Sequence, residues 1–215
     1  MTQGIAFFDF DDTLARGDSI LPFLLYCIRK RIAPRRQLVK AAGAFLYWKL
    51  RPSRAKSATL SFLKGRSADE MLDVARAFFR DEYLPRFYQD GLTELWSLRS
   101  QGMKLVVVSA SPDVYMRALP EFMPIDAVLS TRCEVGGDGR YTGQVGENCK
   151  GEEKVRRIKQ YLKENGFVLD MKCSSAYGDS PSDADMMALV NRAVLVNPKK
   201  ALLRRRPDGI VVHWT

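Results

Sequence analysis

The chain has 215 residues, 46% hydrophobic and 27% charged, with a formal net charge of +9. That composition excludes disorder as the overall state and fits one globular domain, or one domain carrying a sizeable insertion. The longest apolar runs, Ile20 to Ile28 and Ala41 to Trp48, fall well short of the about 18 residues that span a bilayer. Asp9, Asp11 and Asp12 stand where a secretory leader needs a basic start and an apolar stretch, so a cytoplasmic location is expected. Cys27, Cys133, Cys149 and Cys173 form no C-x-x-C pair, and His213 is the single histidine, so no zinc cluster is expected and the cysteines read as reduced and structural.

In chain order, Ile5 to Phe8 is a short apolar run ending at Asp9, the pattern of a buried strand. Residues 16–90 follow with apolar and basic periodicity, few strand signals, and breaks at Pro34 and Pro52; they read as a helical insertion. A helix is expected to begin near Ile20, apolar on all sides and therefore either buried or in contact with lipid. Ser19 to Ala68 holds twelve basic residues and no acidic one, so the remainder of the chain nets −3. This segment, with Phe45, Leu46, Tyr47 and Trp48 among its basic residues, reads equally as a solvated cap or as a contact with an anionic membrane.

Beyond the insertion, Leu105 to Val108 predicts a second strand, ending at Ser109. Cys133 to Asn148, with Gly137-Asp138-Gly139, predicts a β-hairpin. Gly151 to Glu164 predicts a helix with Val155, Ile158 and Leu162 on one side. Ala176 to Tyr177 predicts a strand leading to Gly178-Asp179, then a helix over Ser182 to Asn191, and Ala193 to Val196 a further strand before Asn197-Pro198. Continuous apolar strands alternating with helices predict an α/β fold with a parallel sheet covered on both faces.

The chemistry starts at Asp9-Phe10-Asp11-Asp12-Thr13. Carboxylates two residues apart at a strand's end point the same way, toward the crevice where open α/β sheets bind ligands. Alone this is also the pattern of a solvated acidic loop. Ser109 at a strand end, Lys150 opening a helix, and Gly178-Asp179-Ser180-Pro181-Ser182-Asp183 complete an ordered set that fits one phosphate site.

This set resembles the haloacid dehalogenase superfamily, whose motifs are Asp-x-Asp-x-Thr, a Ser or Thr, a Lys, and Gly-Asp-x-x-x-Asp. The insertion directly after the first motif resembles the phosphoserine-phosphatase-like subgroup, subfamily IB. The resemblance implies a Rossmann-like core at 1–15 and 91–215 and a helical cap at 16–90. It implies that Asp9 is the nucleophile and Asp11 the acid and base. Ser109, Ala110, Lys150 and Ser182 would bind phosphate, and Asp9, Asp11 and Asp179 would hold Mg²⁺. The chain departs from phosphoserine phosphatases at Ala110-Ser111, where they tend to carry Gly-Gly, and at Ser182, where they tend to carry Asn.

Elementary chemistry reaches similar roles. A phosphate among carboxylates is repelled without a hard cation, and Mg²⁺ takes oxygen ligands; Asp9, Asp179 and a backbone carbonyl near Asp11 could supply them, with Asp183 orienting a bound water. A carboxylate nucleophile divides the displacement into two steps, and Asp11 should keep its proton more readily than Asp9. Asp18 stands where phosphoserine phosphatases carry an acidic residue that meets the substrate amine; it reads equally as an N-cap to the helix near Ile20. The expected function is a Mg²⁺-dependent phosphatase of a small phosphorylated metabolite, an amino compound like phosphoserine or histidinol phosphate. One alternative is a membrane-surface lipid phosphatase. Its support is the resemblance of Ser109-Ala110-Ser111-Pro112 and Gly151-x-Glu153-Lys154-Val155 to the bacterial phosphatidylglycerophosphate phosphatases of the superfamily. A phosphotransferase uses the same residues. A catalytically dead core binding nucleic acid would not need the four motifs, and no nucleic-acid partner is expected.

Overall fold

The structure, a computed structural model, describes residues 2–45 and 52–215. The expected aromatic run at Leu46, Tyr47 and Trp48, together with Lys49 and Arg51, lies outside the described residues. Ten strands and nine α-helices follow one another among the described residues. They are β1 (Thr2–Gln3), β2 (Ile5–Phe8), α1 (Ile20–Arg29), α2 (Gln37–Phe45), α3 (Pro52–Thr59), α4 (Ala68–Phe78), α5 (Gln89–Ser100) and β3 (Lys104–Pro112). The order continues with α6 (Asp113–Met116), β4 (Ala127–Thr131), β5 (Cys133–Val135), β6 (Tyr141–Val145), α7 (Glu152–Glu164) and β7 (Val168–Leu169). It closes with β8 (Ser175–Gly178), α8 (Ala184–Met187), β9 (Arg192–Val196), α9 (Lys200–Arg205) and β10 (Ile210–Val212).

The central sheet has six strands in the order β10-β9-β8-β2-β3-β4, all neighbours parallel. Side chains alternate across it, and both faces are covered. Ile5, Phe7, Val106 and Val108 join one core with Ile158, Met186 and Leu202 from the C-terminal helices. Ala6, Phe8, Leu105 and Val107 join the other, with Leu95, Leu98 and the helices between β2 and β3. Burial on both faces is why these strands read as unbroken apolar runs. The chain reverses its direction across the sheet at β2, which has β3 on one side and β8 on the other. The carboxyl ends of those three strands therefore frame a crevice.

Helices α1 to α4 lie between β2 and β3 in sequence. Phe23 and Tyr26 of α1 pack on Phe78, and Phe78, Phe79, Tyr83 and Phe10 form a continuous aromatic contact down to the first motif. Helix α1 is thus buried along Ile20, Phe23, Leu24 and Cys27, with Leu21 left out at 49% exposure. The positive charge of this region is also partly compensated. Arg29 pairs with Glu82, and Lys30 lies 3.7 Å from Asp81, acids supplied by the turn that follows α4. No described helix is long and apolar enough to cross a membrane.

The hairpin forms as expected, β5 against β6. The expected helix over Ser182 to Asn191 is shorter: a single turn at Pro181–Asp183, capped reciprocally by Ser180 and Asp183, leads into α8. Helix α9 and strand β10 carry no expectation, being six and three residues long, with Ile210 and Val211 half exposed at the sheet edge.

Candidate active site

Strand β2 ends at Phe8, and Asp9 continues its ladder by donating its N–H to the Tyr177 carbonyl at 2.9 Å. Phe10 turns into the core, so Asp9 and Asp11 emerge on the opposite side. The chain then coils tightly. The Phe10 carbonyl accepts from Leu14 and Ala15. Asp12 adopts a left-handed φ of 59°, which Asp tolerates better than most residues, and its Oδ1 accepts from the Gly17 N–H at 2.8 Å.

These residues floor a cleft of about 180 Å³, whose wall includes Asp9, Asp11, Asp12, Asp18, Ala110, Lys150, Lys154, Asp179 and Ser182. A larger cavity of about 690 Å³, beside β4, holds none of the motif residues. The cleft, which brings the motifs together, is the candidate site for chemistry.

The lysine that reaches Asp9 is Lys154, not Lys150. Its ammonium, 2% exposed, donates to Asp9 Oδ1 at 2.6 Å and to Asp183 Oδ1 at 2.7 Å. Gly151, at φ 58°, turns the chain into α7 so that the first turn presents Lys154 inward. Lys150 remains on the cleft wall. Burial works against the Lys154 charge, but the two carboxylates overcome this and push its pKa up.

Asp179 and Asp183 come from the turn after β8. Gly178 is required there: a Cβ would fall 2.6 Å from the Asp183 Cβ. Asp183 is fully buried and its Oδ2 accepts from the Ser180 N–H and hydroxyl at 3.0 and 2.9 Å. Ligand oxygens of Asp9, Asp179 and Asp183 lie within 4.8 Å of one another. Asp183 therefore stands with the potential ligands rather than behind them, whereas the Asp11 carboxylate lies outside that cluster.

Lys199, on the loop after β9, donates to Asp179 Oδ2 at 2.5 Å and to Asp12 Oδ2 at 3.3 Å. Asp9, Asp12, Asp179 and Asp183 thus face the ammoniums of Lys154 and Lys199, two negative charges in excess. Burial pushes Asp9 well above the usual carboxylate range, Lys154 drawing it back only in part, and burial raises Asp179 to about 6. A hard divalent cation fits this donor set: it would balance the excess and hold the acids ionised.

Asp11 faces the other way. Its Oδ1 accepts from the Ser19 N–H at 2.9 Å and its Oδ2 from the Ser111 hydroxyl at 2.5 Å. Burial first, and the Asp18 charge second, raise its carboxyl to about 7. Ser109 is buried at the end of the regular β3 pairing, its Oγ accepting from the Ser111 N–H at 3.0 Å, and the cleft wall is made by Ala110, Ser111 and Pro112. Ser182 lines the cleft and shares a 2.7 Å hydrogen bond with Ser180. Asp18 Oδ1 accepts from the Ile20 N–H at 2.9 Å, from one position ahead of the helix's N-cap Ser19, and the residue lines the cleft.

Sequence reasoning missed Lys56. Carried by α3 and 3% exposed, it donates to the Ala110 carbonyl and, at 2.5 Å, to Asn148 Oδ1, joining the inserted helices to the end of β3 and the loop before α7. Burial lowers its pKa to about 8. Nothing in its local sequence separates it from the eleven other basic residues of the segment.

Comparison with known proteins agrees with this geometry. Residues 6–188 match the haloacid dehalogenase-like hydrolases. The chain is 31% identical to CicA of Caulobacter vibrioides over 191 residues, 86% of this chain and 82% of that one. It is 27% identical to a histidinol-phosphatase of Neisseria meningitidis, covering 93% of each. A protein of unknown function from Bordetella pertussis Tohama I shares the fold with a TM-score of 0.86 at 24% identity, over 99% of both chains. By its motifs, its sheet and these matches, the chain belongs to the haloacid dehalogenase-like hydrolase family.

Proposed function

We propose that this hydrolase is a Mg²⁺-dependent phosphomonoester phosphatase that works through a phosphorylated Asp9. The observation that carries the reading is the Lys154 bridge, which fixes Asp9 at the cleft floor beside Asp183. Asp9, Asp179 and Asp183 would hold the cation, with a backbone carbonyl near Asp11. When bound, the cation supplies charge balance for the phosphate dianion and keeps the acids ionised.

In the first step a carboxylate oxygen of Asp9 attacks phosphorus, and the bond from phosphorus to the ester oxygen breaks. Asp11 gives its proton to that departing oxygen. In the second step Asp11, now ionised, takes a proton from water, whose oxygen attacks the acyl phosphate and releases inorganic phosphate and Asp9. Lys154 holds the nucleophile throughout, a part that sequence reasoning gave to no lysine. Lys150, Ala110, Ser111 and Ser182 line the place proposed for the phosphoryl oxygens, with Ser109 buried behind Ala110 and Ser111. We take residues 16–90 as the cap that selects the leaving group. Asp18 is its acidic contact for an amine or hydroxyl, in keeping with the amino-alcohol phosphate named for the Neisseria relative.

Hydrolysis of ethanolamine phosphate and of simple alkyl phosphates, with and without chelator, tests the reading. Activity should vanish in chelator and return with Mg²⁺; full activity in chelator contradicts it.

The pH dependence follows from Asp11. It must be protonated when a poor leaving group departs, so turnover should fall as pH rises through about 7. Asp18→Asn removes the repulsion that raises Asp11 and should move this limb to lower pH. Ser111→Ala removes a hydrogen bond that favours the carboxylate and should move it to higher pH. Profiles of kcat against pH for the three proteins check both signs, and a limb unmoved by either change assigns the proton to another group.

A further inference from the structure

The phosphate cleft adjoins a second cavity, of about 530 Å³, among the helices that follow β2. Asp18 and Ile20 belong to both walls. Leu21 of α1 closes one side, and Leu38, Ala41 and Ala42 line it from α2. Those last three are spaced three and four residues apart and therefore share one face of α2. Two of the three are alanines, too small to fill the space against α1.

Among the described residues, Asp18 and Thr59 bring the polar side-chain atoms to this wall, and each has an internal partner. Asp18 Oδ1 accepts from the Ile20 N–H, and the Thr59 hydroxyl donates to the Ala55 carbonyl at 2.9 Å. Leu21 and Leu38 are 49% and 37% exposed, so apolar surface faces water. A cavity of this size lies within the range that holds small ligands, about 300–1,000 Å³, and its lining suits hydrocarbon.

We infer that this chamber takes an apolar chain on the alcohol portion of the substrate, so that the substrate is an amphiphilic phosphate monoester. The phosphate lies in the cleft, a hydroxyl or amine meets Asp18, and the chain crosses Ile20 into the space between α1 and α2. The inference rests on the phosphomonoester reading, because it places the head of that same molecule. It commits to a chain rather than a second polar group because the described lining residues of α1 and α2, Ile20, Leu21, Leu38, Ala41 and Ala42, are all apolar.

Alkylphosphonates, which cannot be hydrolysed, test the chamber apart from the chemistry. Calorimetric titration of the whole protein with Mg²⁺ and the ethyl, butyl, octyl and dodecyl compounds, each below its micelle concentration, gives affinity against chain length. A fully buried methylene raises affinity about fourfold, so the octyl compound, six methylenes longer, should bind at least about a hundredfold more tightly than the ethyl one even if only about four of the six are buried. Ala41→Phe fills the chamber, and Leu38→Asn makes its wall polar. Either should reduce that ratio to below about tenfold, and the second variant serves if the first does not fold. Equal affinities for ethyl and octyl, or no measurable octyl binding, overturn the inference. Failure of the underlying reading shows separately, as no hydrolysis of ethyl phosphate by the unaltered protein.

Discussion

Replacing Asp9 by asparagine should abolish turnover and leave the fold intact. The amide has nearly the shape of the carboxylate and keeps an oxygen to accept the Lys154 hydrogen bond, but its oxygen is a poor nucleophile toward phosphorus. Loss of a covalent nucleophile costs at least about 10⁴-fold in kcat. Stability should hold or rise, because burial already works against the Asp9 charge. Steady-state assays with an alkyl phosphate and a thermal melt on the same preparation separate the two quantities. Turnover near that of the unaltered protein would end the covalent mechanism, and a melt lowered by many degrees would make the loss a folding effect.

Lys154→Met should be the most destabilising single change at the site. The methionine fills much of the lysine's volume, yet it strands Asp9 and Asp183 in a buried place with their shared counter-charge gone. Breaking a buried ion pair from one side costs about 3–5 kcal/mol, which for a chain of this size lowers the melting temperature by about 6–20 °C. The deficit also has a sign in pH. With the ammonium removed, Asp9 in the folded state sits further above its unfolded value of 3.8, so the folded form binds a proton that the unfolded form releases. The loss should therefore be smallest in acid and grow as pH rises toward neutrality. Melts of both proteins across that range check it. A pH-independent deficit would mean that packing, rather than stranded charge, is responsible. Activity should disappear with the bridge, since Asp9 loses its fixed orientation.

The sheet strands and the first motif were legible because their cause is local. Ile5 to Phe8 and Leu105 to Val108 are buried on both faces, and the acidic motif begins where the apolar run stops. Lys154 was half legible. It lies four residues before Ile158 on the inward side of α7, so a charge on the buried stripe of a helix pointed to a partner, while Lys150 drew attention only by opening that helix. Lys56 and Lys199 could not be read. Their partners are 92 and 20 residues away in sequence, at Asn148 and Asp179, and proximity comes only from how the inserted helices and the β9 loop return to the cleft. Part of the compensation for the positive run was out of view for a related reason: Asp81 and Glu82, which meet Lys30 and Arg29, fall beyond the segment in which that run was counted.

Gly178 ties the architecture to the chemistry at a single backbone position. Where Gly17, Gly65 and Gly102 face open space and are constrained only by their turn geometry, Gly178 is constrained by the acid it lies against. A single added methyl would displace Asp183, and through it the ammonium that orients Asp9. At position 178 the smallest step away from glycine would move Asp183 and the Lys154 ammonium it holds, so a substitution there is expected to reach Asp9, whereas one at Gly17, Gly65 or Gly102 meets only the cost of its turn.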